Sequence, residues 1–215
     1  SVLRTSSFVV IAATAIPLCA SERFVYQHEH VLGTSLELQI DARDEAAAQA
    51  AEARVLREIE RLGKIYSTYD AASEFARWQT TRNASTKVSP ELFDVLSASD
   101  RFQELSSGAF NPAAQVLTNL WRQAEKDNQA PAQDVLEAAV RRVREKHWSL
   151  DVVRGAAARH GDAPLSLNAI AKGAIIDAAC RAGLAEGSEA SSRGVTGILV
   201  CIGGDLRVAG DIAQP

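Results

Sequence analysis

The sequence predicts an α+β (mixed α/β) fold, because strand-like and helix-like segments both occur but alternate only loosely. Residues 30–41 alternate apolar and polar side chains, as a half-buried strand does, with an interruption at Gly33-Thr34. Residues 44–66 place apolar side chains three or four positions apart, which is typical of an amphipathic helix with Tyr66 in the core. Residues 197–202 form a short apolar run that indicates a buried strand.

The other elements are predicted from the residues at their ends. Ser89-Pro90-Glu91 is a typical helix start, and its helix is expected to bury Leu92, Val95 and Phe102 and to end by Gly108. The remaining expectations are a short helix from Pro112 toward Trp121, a helix over 134–146, a strand over 148–153, an irregular hairpin tip over 154–164, a helix after Asn168 and a strand from Leu206.

The composition is that of a soluble globular domain. Hydrophobic residues make up 47% of the 215 residues and charged residues 23%, which is enough to bury a core. The net charge is −4, and no basic patch is interleaved with aromatic residues. A nucleic-acid-binding surface is therefore not expected.

The N-terminal segment differs in composition from the rest of the chain. Arg4 precedes an apolar run that ends at Cys19, and a small residue follows. This order indicates a secretory signal peptide over residues 1–20, with a mature periplasmic or secreted chain that begins near Ser21. A buried N-terminal helix is the alternative, which Pro17 disfavours. The residue before the cysteine is too large for lipoprotein processing, so no membrane association beyond the signal peptide is expected.

Cysteine and histidine give no clear metal site. Cys180 lies on an apolar helix and Cys201 ends an apolar strand; two buried thiols are favoured over a disulfide, which an oxidising compartment would permit. His28 and His30 are two residues apart on a strand, a spacing that could hold a metal. Without further ligands nearby, a surface pair is favoured.

The segment Ser166–Asp177 gives the first indication of a ligand. A turn of small residues opens a helix, Lys172 lies near its start, and Asp177 follows five residues later. Small residues allow close approach of the backbone, a helix start offers free N–H groups to an anion, and lysine suits phosphate. A phosphorylated ligand is the functional hypothesis, and an ordinary helix start is the alternative.

Three other segments complete a pattern along the chain. They are Tyr66–Asp70 followed by Ser73–Arg77, Ser107–Pro112, and Val200–Arg207. Taken in order with the phosphate-like segment, they resemble the motifs of the ApbE family, the FAD:protein FMN transferases once described as thiamine-biosynthesis lipoproteins. The resemblance runs from about Val31 to the last residue, and four motifs in the right order are hard to obtain by chance.

The resemblance implies an ApbE-like fold in which helices flank the sheets. Family members continue well beyond this length, so residues 21–215 would be the N-terminal two-thirds of a flavin transferase domain, with the C-terminal part missing. That part would supply an Asp and a Thr to the metal. A chain without them is expected to transfer no FMN, to bind FAD weakly, and to expose a sheet edge after Ala209.

The resemblance also implies a reaction. FMN would pass from FAD to a threonine hydroxyl of an acceptor protein, AMP would leave, and Mg²⁺ would neutralise the pyrophosphate. An FAD pyrophosphatase and a periplasmic flavin-binding module with little catalysis stay open. Two departures from the family's motifs keep the binding module open. Asn111 stands where the family usually has Asp, and Asn168 stands where it usually has Gly. Gln79 in place of Asn and Leu32 in place of Met are milder departures.

The resemblance assigns roles around the start of the last long helix. The backbone carbonyl of Ala169, or alternatively that of Asn168, would bind Mg²⁺, with the remaining ligands expected beyond the chain end. Lys172 would offset phosphate charge or pair with a carboxylate, and Asp177 would approach the flavin nucleotide. Asp205 would order neighbouring loops or support the metal. Lys172 and Asp205 would in this way assist phosphoryl transfer. A plain structural role is the alternative for each.

Two further segments are expected to contact the nucleotide. Tyr69 is predicted to stack on the flavin or the adenine, unless it belongs to the core. Ser67 and Thr68 would satisfy polar edges of the ligand or cap the preceding helix. Gly203 and Gly204 would let the nucleotide approach a strand end that carries no side chains.

Overall fold

A computed structural model describes residues 21–185 and 194–212 and confirms the α+β fold. The strands and helices follow in the order β1 (Glu22–Val31), β2 (Thr34–Ala42), α1 (Glu45–Tyr66), α2 (Glu74–Thr80), β3 (Ser85–Lys87), α3 (Pro90–Leu105), a single 3₁₀ turn (Pro112–Ala114), α4 (Gln115–Asp127), α5 (Gln133–Val143), β4 (Trp148–Asp151), β5 (Ala156–Arg159), α6 (Asn168–Leu184), β6 (Val195–Ile202) and β7 (Asp205–Gly210).

The strands form two antiparallel sheets. The larger has the order β1-β2-β6-β7 and the smaller the order β3-β5-β4. Helices α1 and α6 pack against each other and against the larger sheet. Every second residue of the two central strands is buried, as strand periodicity requires: Leu36, Leu38 and Ile40 in β2, and Ile198, Val200 and Ile202 in β6.

The prediction of one strand over residues 30–41 is wrong. Leu32 and Gly33 have φ of 51° and 81°, so they form a two-residue left-handed turn between β1 and β2. His30 also has a positive φ, and the pairing with β2 is irregular around it. The interruption noticed at Gly33-Thr34 is therefore a hairpin turn, and β1 escaped prediction because an edge strand exposes polar side chains such as His28.

Helix α1 forms as its pattern predicts. Asp44 caps it by accepting a hydrogen bond from the backbone N–H of Ala47, at 2.9 Å. One stripe is buried, and it consists of Ala48, Ala51, Val55, Ile59, Leu62 and Tyr66. Tyr66 is core, and its hydroxyl donates to the carbonyl of Glu91. Burial raises the pKa of this phenol well above its ordinary value.

Helix α3 is predicted correctly except for one side chain. Ser89 caps it, Leu92 and Val95 are buried, and Gly108 adopts the left-handed conformation just after its end. Phe102 was expected to face inward but is 49% exposed. Its ring instead lies edge-on to Phe110, with centroids 6.0 Å apart, because both lie at the rim where the helix ends.

The region after α5 contains the largest error of the sequence prediction. The helix ends at Val143 rather than at residue 146, and the strand β4 ends at Asp151. Residues 154–164, expected to be irregular, contain β5 at the centre of the smaller sheet. Arg159 ends that strand fully buried, with its guanidinium donating to the carbonyls of His147, His160 and Ala163. Three alanines followed by an arginine carry no strand periodicity, so the pattern could not reveal this element.

The expected signal peptide lies outside the described residues. In the part that the structure does describe, no helix is long and apolar enough to span a bilayer. Cys180 and Cys201 are both free thiols, but only Cys180 is buried, whereas Cys201 is half-buried.

Candidate functional site

An open cleft of about 870 Å³ brings together the predicted turns. It lies between the C-terminal half of α1, the β1–β2 turn, the turn after α1 and the first turns of α6. Of the predicted site residues, Ser67, Thr68, Tyr69, Asn168 and Lys172 line it. Its volume lies within the range of small-molecule sites.

The turn after α1 is held by side-chain hydrogen bonds. The hydroxyl oxygen of Ser67 accepts from the backbone N–H groups of Tyr69 and Asp70, at 3.2 and 3.0 Å. Ser67 thus ends the helix and shapes the turn, as its capping alternative proposed. The turn leaves Tyr69 84% exposed, so the alternative that this ring belongs to the core is wrong.

The start of α6 contacts that turn directly. The side-chain amide of Asn168 donates to the hydroxyl oxygen of Tyr69 at 2.9 Å, across 99 positions of sequence. The hydroxyl of Thr68 lies 3.5 Å from the side-chain oxygen of Asn168, at the limit of hydrogen-bond distance. The glycine usual at this position in the family has no side chain with which to make these contacts. This departure therefore joins the two motifs in the present chain.

Lys172 faces the cleft one turn further along α6. Its ammonium lies 2.6 Å from a carboxylate oxygen of Asp205, and the two side chains are 33% and 60% exposed. An ion pair this exposed contributes little stability, so the lysine remains available to an anionic ligand. The predicted pairing with a carboxylate is present.

Gly203 and Gly204 shape the turn that presents Asp205. Both have positive φ, at 55° and 90°, and they connect β6 to β7 in a tight hairpin. A Cβ on Gly203 would lie 2.7 Å from the side chain of Thr34, so any other residue would have to displace that side chain as well as adopt a positive φ. Neither glycine is among the residues that line the cleft.

Asp177 lies apart from this group. Its carboxylate is 3.6 Å from the guanidinium of Arg207, and it does not line the cleft. The structure therefore brings Tyr69, Asn168 and Lys172 together, and the ion pair with Lys172 places Asp205 beside them. Asp177 instead belongs to a second ion pair between α6 and β7.

The described residues do not by themselves form a magnesium site. Ala169 lies exposed in the first turn of α6. Among residues 21–185 and 194–212, no three His, Cys, Asp or Glu side chains gather closely enough to hold a metal ion. Of the carboxylates that line the cleft, Glu60 pairs with Lys64, and Asp70 accepts from the backbone N–H of Ala72. Mg²⁺ prefers several anionic oxygens, so a magnesium ion here would need ligands beyond these residues. His28 pairs with Glu52 at 2.8 Å, and the two histidines do not build a site.

Asn111 has a structural role that aspartate could not fill. Its side-chain oxygen accepts from the backbone N–H of Ala113, and its amide donates to the carbonyl of Val143, both at 2.9 Å. An ionised carboxylate could make the first contact but has no proton for the second. Asn111 therefore ties the 3₁₀ turn to the end of α5, and it is not among the cleft residues.

Part of the cleft wall escaped prediction. Leu32 and Gly33 of the β1–β2 turn and Glu60 and Lys64 of α1 line it as well. The charged pair lies four residues apart on the predicted amphipathic helix, and such a pair looks the same on any surface helix. The glycine in the middle of a predicted strand was the one usable signal.

The chain is similar to known proteins in both sequence and structure. The sequence model of the ApbE family matches residues 32–215. Over 78 residues the chain is 32% identical to an FAD:protein FMN transferase of Chlamydia muridarum, a match that covers 36% of this chain and 25% of that protein. The chain therefore spans well under two-thirds of this relative's length.

Solved structures show the same fold. The ApbE protein of Thermotoga maritima matches with a TM-score of 0.71 at 25% identity, over 87% of this chain and 59% of that one. The flavinyl transferase ApbE of Pseudomonas stutzeri matches with a TM-score of 0.72 at 20% identity, over 91% and 60%. The flavin transferase ApbE of Vibrio cholerae matches with a TM-score of 0.70 at 20% identity, over 88% and 60%. Because the family model matches most of its length, the chain belongs to the ApbE family.

Proposed function

We propose that this protein binds FAD in the cleft and transfers its FMN part to a threonine hydroxyl of an acceptor protein. The observation that carries the proposal is the contact between Asn168 and Tyr69, which places an exposed ring beside Lys172 at the start of α6. An exposed aromatic ring suits stacking on a flavin or an adenine, and a lysine suits phosphate. The Chlamydia muridarum relative is named for this activity.

The proposed reaction is a displacement at phosphorus. The threonine oxygen attacks the phosphorus of the FMN part, and the bond from that phosphorus to the bridging pyrophosphate oxygen breaks. AMP leaves with the bonding electron pair, and the hydroxyl proton passes to a base. Little covalent chemistry is required of the protein, because orientation and charge neutralisation dominate such reactions. Lys172 would lie against the phosphates, and Tyr69 would fix a ring of the dinucleotide.

Dependence on Mg²⁺ is part of the proposal and rests on the charge of the pyrophosphate. Because no three metal-binding side chains gather among the described residues, phosphate oxygens would have to supply much of the coordination. Removing divalent ions with a chelator is expected to abolish transfer, and adding Mg²⁺ back is expected to restore it. Full transfer in the presence of the chelator would refute this part.

One experiment separates the proposal from its alternatives. The protein is incubated with FAD, Mg²⁺ and a threonine-bearing peptide, and the products are resolved by mass spectrometry. A peptide carrying FMN supports the transferase. Free FMN and AMP with unmodified peptide would instead indicate an FAD pyrophosphatase. Unchanged FAD that nevertheless binds would indicate a flavin-binding module.

A periplasmic or secreted location is proposed from the N-terminal segment. The apolar run and the small residue after it form a processing site, so the mature chain should begin near Ser21. N-terminal sequencing of exported material tests this. A mature chain that still carries Val2 through Cys19 would overturn the proposal.

A further inference from the structure

Helix α2 lies behind both turns that meet at the cleft. At its start, the hydroxyl of Ser73 donates to the carbonyl of Ser67, at 2.6 Å. Near its end, the side-chain oxygen of Gln79 accepts from the backbone N–H of Leu165, at 2.9 Å. The first contact supports the turn that carries Tyr69, and the second supports the segment that leads into Asn168. One short helix is therefore bonded to the two segments that carry the partners of the contact between Asn168 and Tyr69.

The helix itself is firmly seated. Phe75 and Trp78 are 0% and 2% exposed and stack with centroids 5.9 Å apart. The indole N–H of Trp78 also donates to the carbonyl of Ala157 in the smaller sheet. A side chain on such a helix acts from a fixed position, which is what a support for a binding site requires.

The segment before α6 depends on such support. Ala163, Leu165 and Leu167 are at most 2% exposed, yet the segment belongs to no helix or strand. Its backbone groups are bonded to side chains and isolated carbonyls instead. Gln79 accepts from Leu165, and the carbonyl of Pro112 accepts from Ser166 at 3.0 Å. Because a buried N–H without a partner is unfavourable, removing the Gln79 acceptor would shift this segment.

We propose that Gln79 is a positioning residue for the cleft. By holding Leu165 it sets the start of α6, and so it sets the contact between Asn168 and Tyr69. Asparagine, the usual residue of the family here, is one methylene shorter and would not reach the same atom unless the helix or the segment moved. The effect on FAD rests on the proposed flavin-binding function, whereas the effect on Asn168 does not.

The test uses three variants. Gln79→Leu keeps the approximate volume and removes the acceptor, and Gln79→Glu keeps an acceptor oxygen. The control, Thr81→Val, removes a hydroxyl that donates to Trp78 at the end of the same helix and touches no part of the segment before α6. Affinity for FAD is measured by fluorescence titration beside the melting temperature. Gln79→Leu should weaken FAD binding by roughly threefold to tenfold, while the other two should bind as wild type does.

A second readout needs no ligand. In the ligand-free protein, the side-chain amide signals of Asn168 are followed by ¹⁵N NMR. They should move in Gln79→Leu and stay in place in Thr81→Val. A double-mutant cycle with Tyr69→Phe sharpens the point, because that change removes the hydroxyl that Asn168 contacts. The effects of the two substitutions on FAD affinity should then be non-additive.

Each outcome decides one question. Unmoved Asn168 signals in Gln79→Leu would overturn the positioning role whether or not FAD binds. A loss of affinity that Thr81→Val reproduces at an equal loss of melting temperature would overturn it too, because general destabilisation would then explain both. If the Asn168 signals move in Gln79→Leu but the wild-type protein binds no FAD, the positioning role stands and the proposed function is refuted.

Discussion

The mouth of the cleft is the region around Tyr69, Asn168 and Lys172. It shares helices α1 and α6 with the buried face of the larger sheet, but the two regions are held by different forces. At the sheet, Leu38 and Ile198 are 0% exposed and pack against apolar neighbours. At the mouth, Tyr69 is 84% exposed and is oriented by hydrogen bonds from Asn168 and within its own turn. Burial supplies most of the folding free energy, whereas exposed hydrogen bonds contribute about 1 kcal/mol each.

This difference means that stability and binding should respond to separate substitutions. The sheet face can be damaged without altering the ligand contacts of the molecules that stay folded. The mouth can be altered with little effect on folding, because its side chains already face water. Segments of this kind open locally more easily than the core does, which suits a site that must admit a large ligand.

The largest effect is expected from Leu38→Ala in β2. Truncating a fully buried leucine removes apolar contacts and leaves a cavity, so the free energy of unfolding should fall by about 2–5 kcal/mol. Urea titration followed by circular dichroism measures the loss. FAD affinity of the folded fraction should stay at the wild-type value. A clear loss of affinity at low denaturant would mean that the sheet face and the mouth are not separable.

Tyr69→Ala should give the reverse result. Losing one stacked ring contact should weaken FAD binding roughly tenfold, which corresponds to about 1.4 kcal/mol. The free energy of unfolding should hardly change, because the ring is mostly in water. Tyr69→Phe is the matched comparison, since it keeps the ring and removes only the contact with Asn168, so the difference between the two variants measures the ring itself. If the alanine variant unfolds while its residual folded fraction binds normally, the ring is structural.

The same contrast explains what the sequence could predict. Periodicity revealed α1 and the central strands, because their burial repeats every three to four or every two residues. The start of α3 was equally readable from Ser89 and Pro90. Strand β5 was missed because it ends in a buried arginine whose guanidinium donates to backbone carbonyls. No periodic pattern in the sequence encodes that arrangement.

The mouth of the cleft was predictable only in part. Motif resemblance singled out Tyr69, Asn168 and Lys172, which do line one cleft. It could not show that an asparagine in place of glycine would contact the tyrosine, because that depends on the distance between two turns 99 positions apart. Nor could it place Asp177 outside the cleft, since position along a helix does not say which neighbour pairs with a side chain.

Asn111→Asp, which restores the usual residue of the family, should destabilise this protein. The carboxylate would keep the bond from Ala113 but lose the donor to Val143, placing a charge against a carbonyl oxygen. The free energy of unfolding should fall by about 1 kcal/mol, and FAD affinity should be unchanged because the residue does not line the cleft. Chemical denaturation and FAD titration of the same sample test both statements. A variant that is more stable, or that binds FAD more tightly, would contradict this structural role.

The smallest effect on folding is expected at the ion pair of Lys172 and Asp205. Because both side chains are partly in water, Lys172→Gln should change the free energy of unfolding by less than about 0.5 kcal/mol. It should weaken FAD binding about threefold at low salt and less at high salt, since ions screen the attraction between the ammonium and the phosphates. Asp205→Asn removes the competing carboxylate and should strengthen FAD binding slightly in the presence of Lys172 but not in Lys172→Gln. Equal FAD affinity of wild type and Lys172→Gln at low salt would show that the lysine serves the ion pair alone. The mouth would then bind the dinucleotide through the ring of Tyr69 without help from this charge.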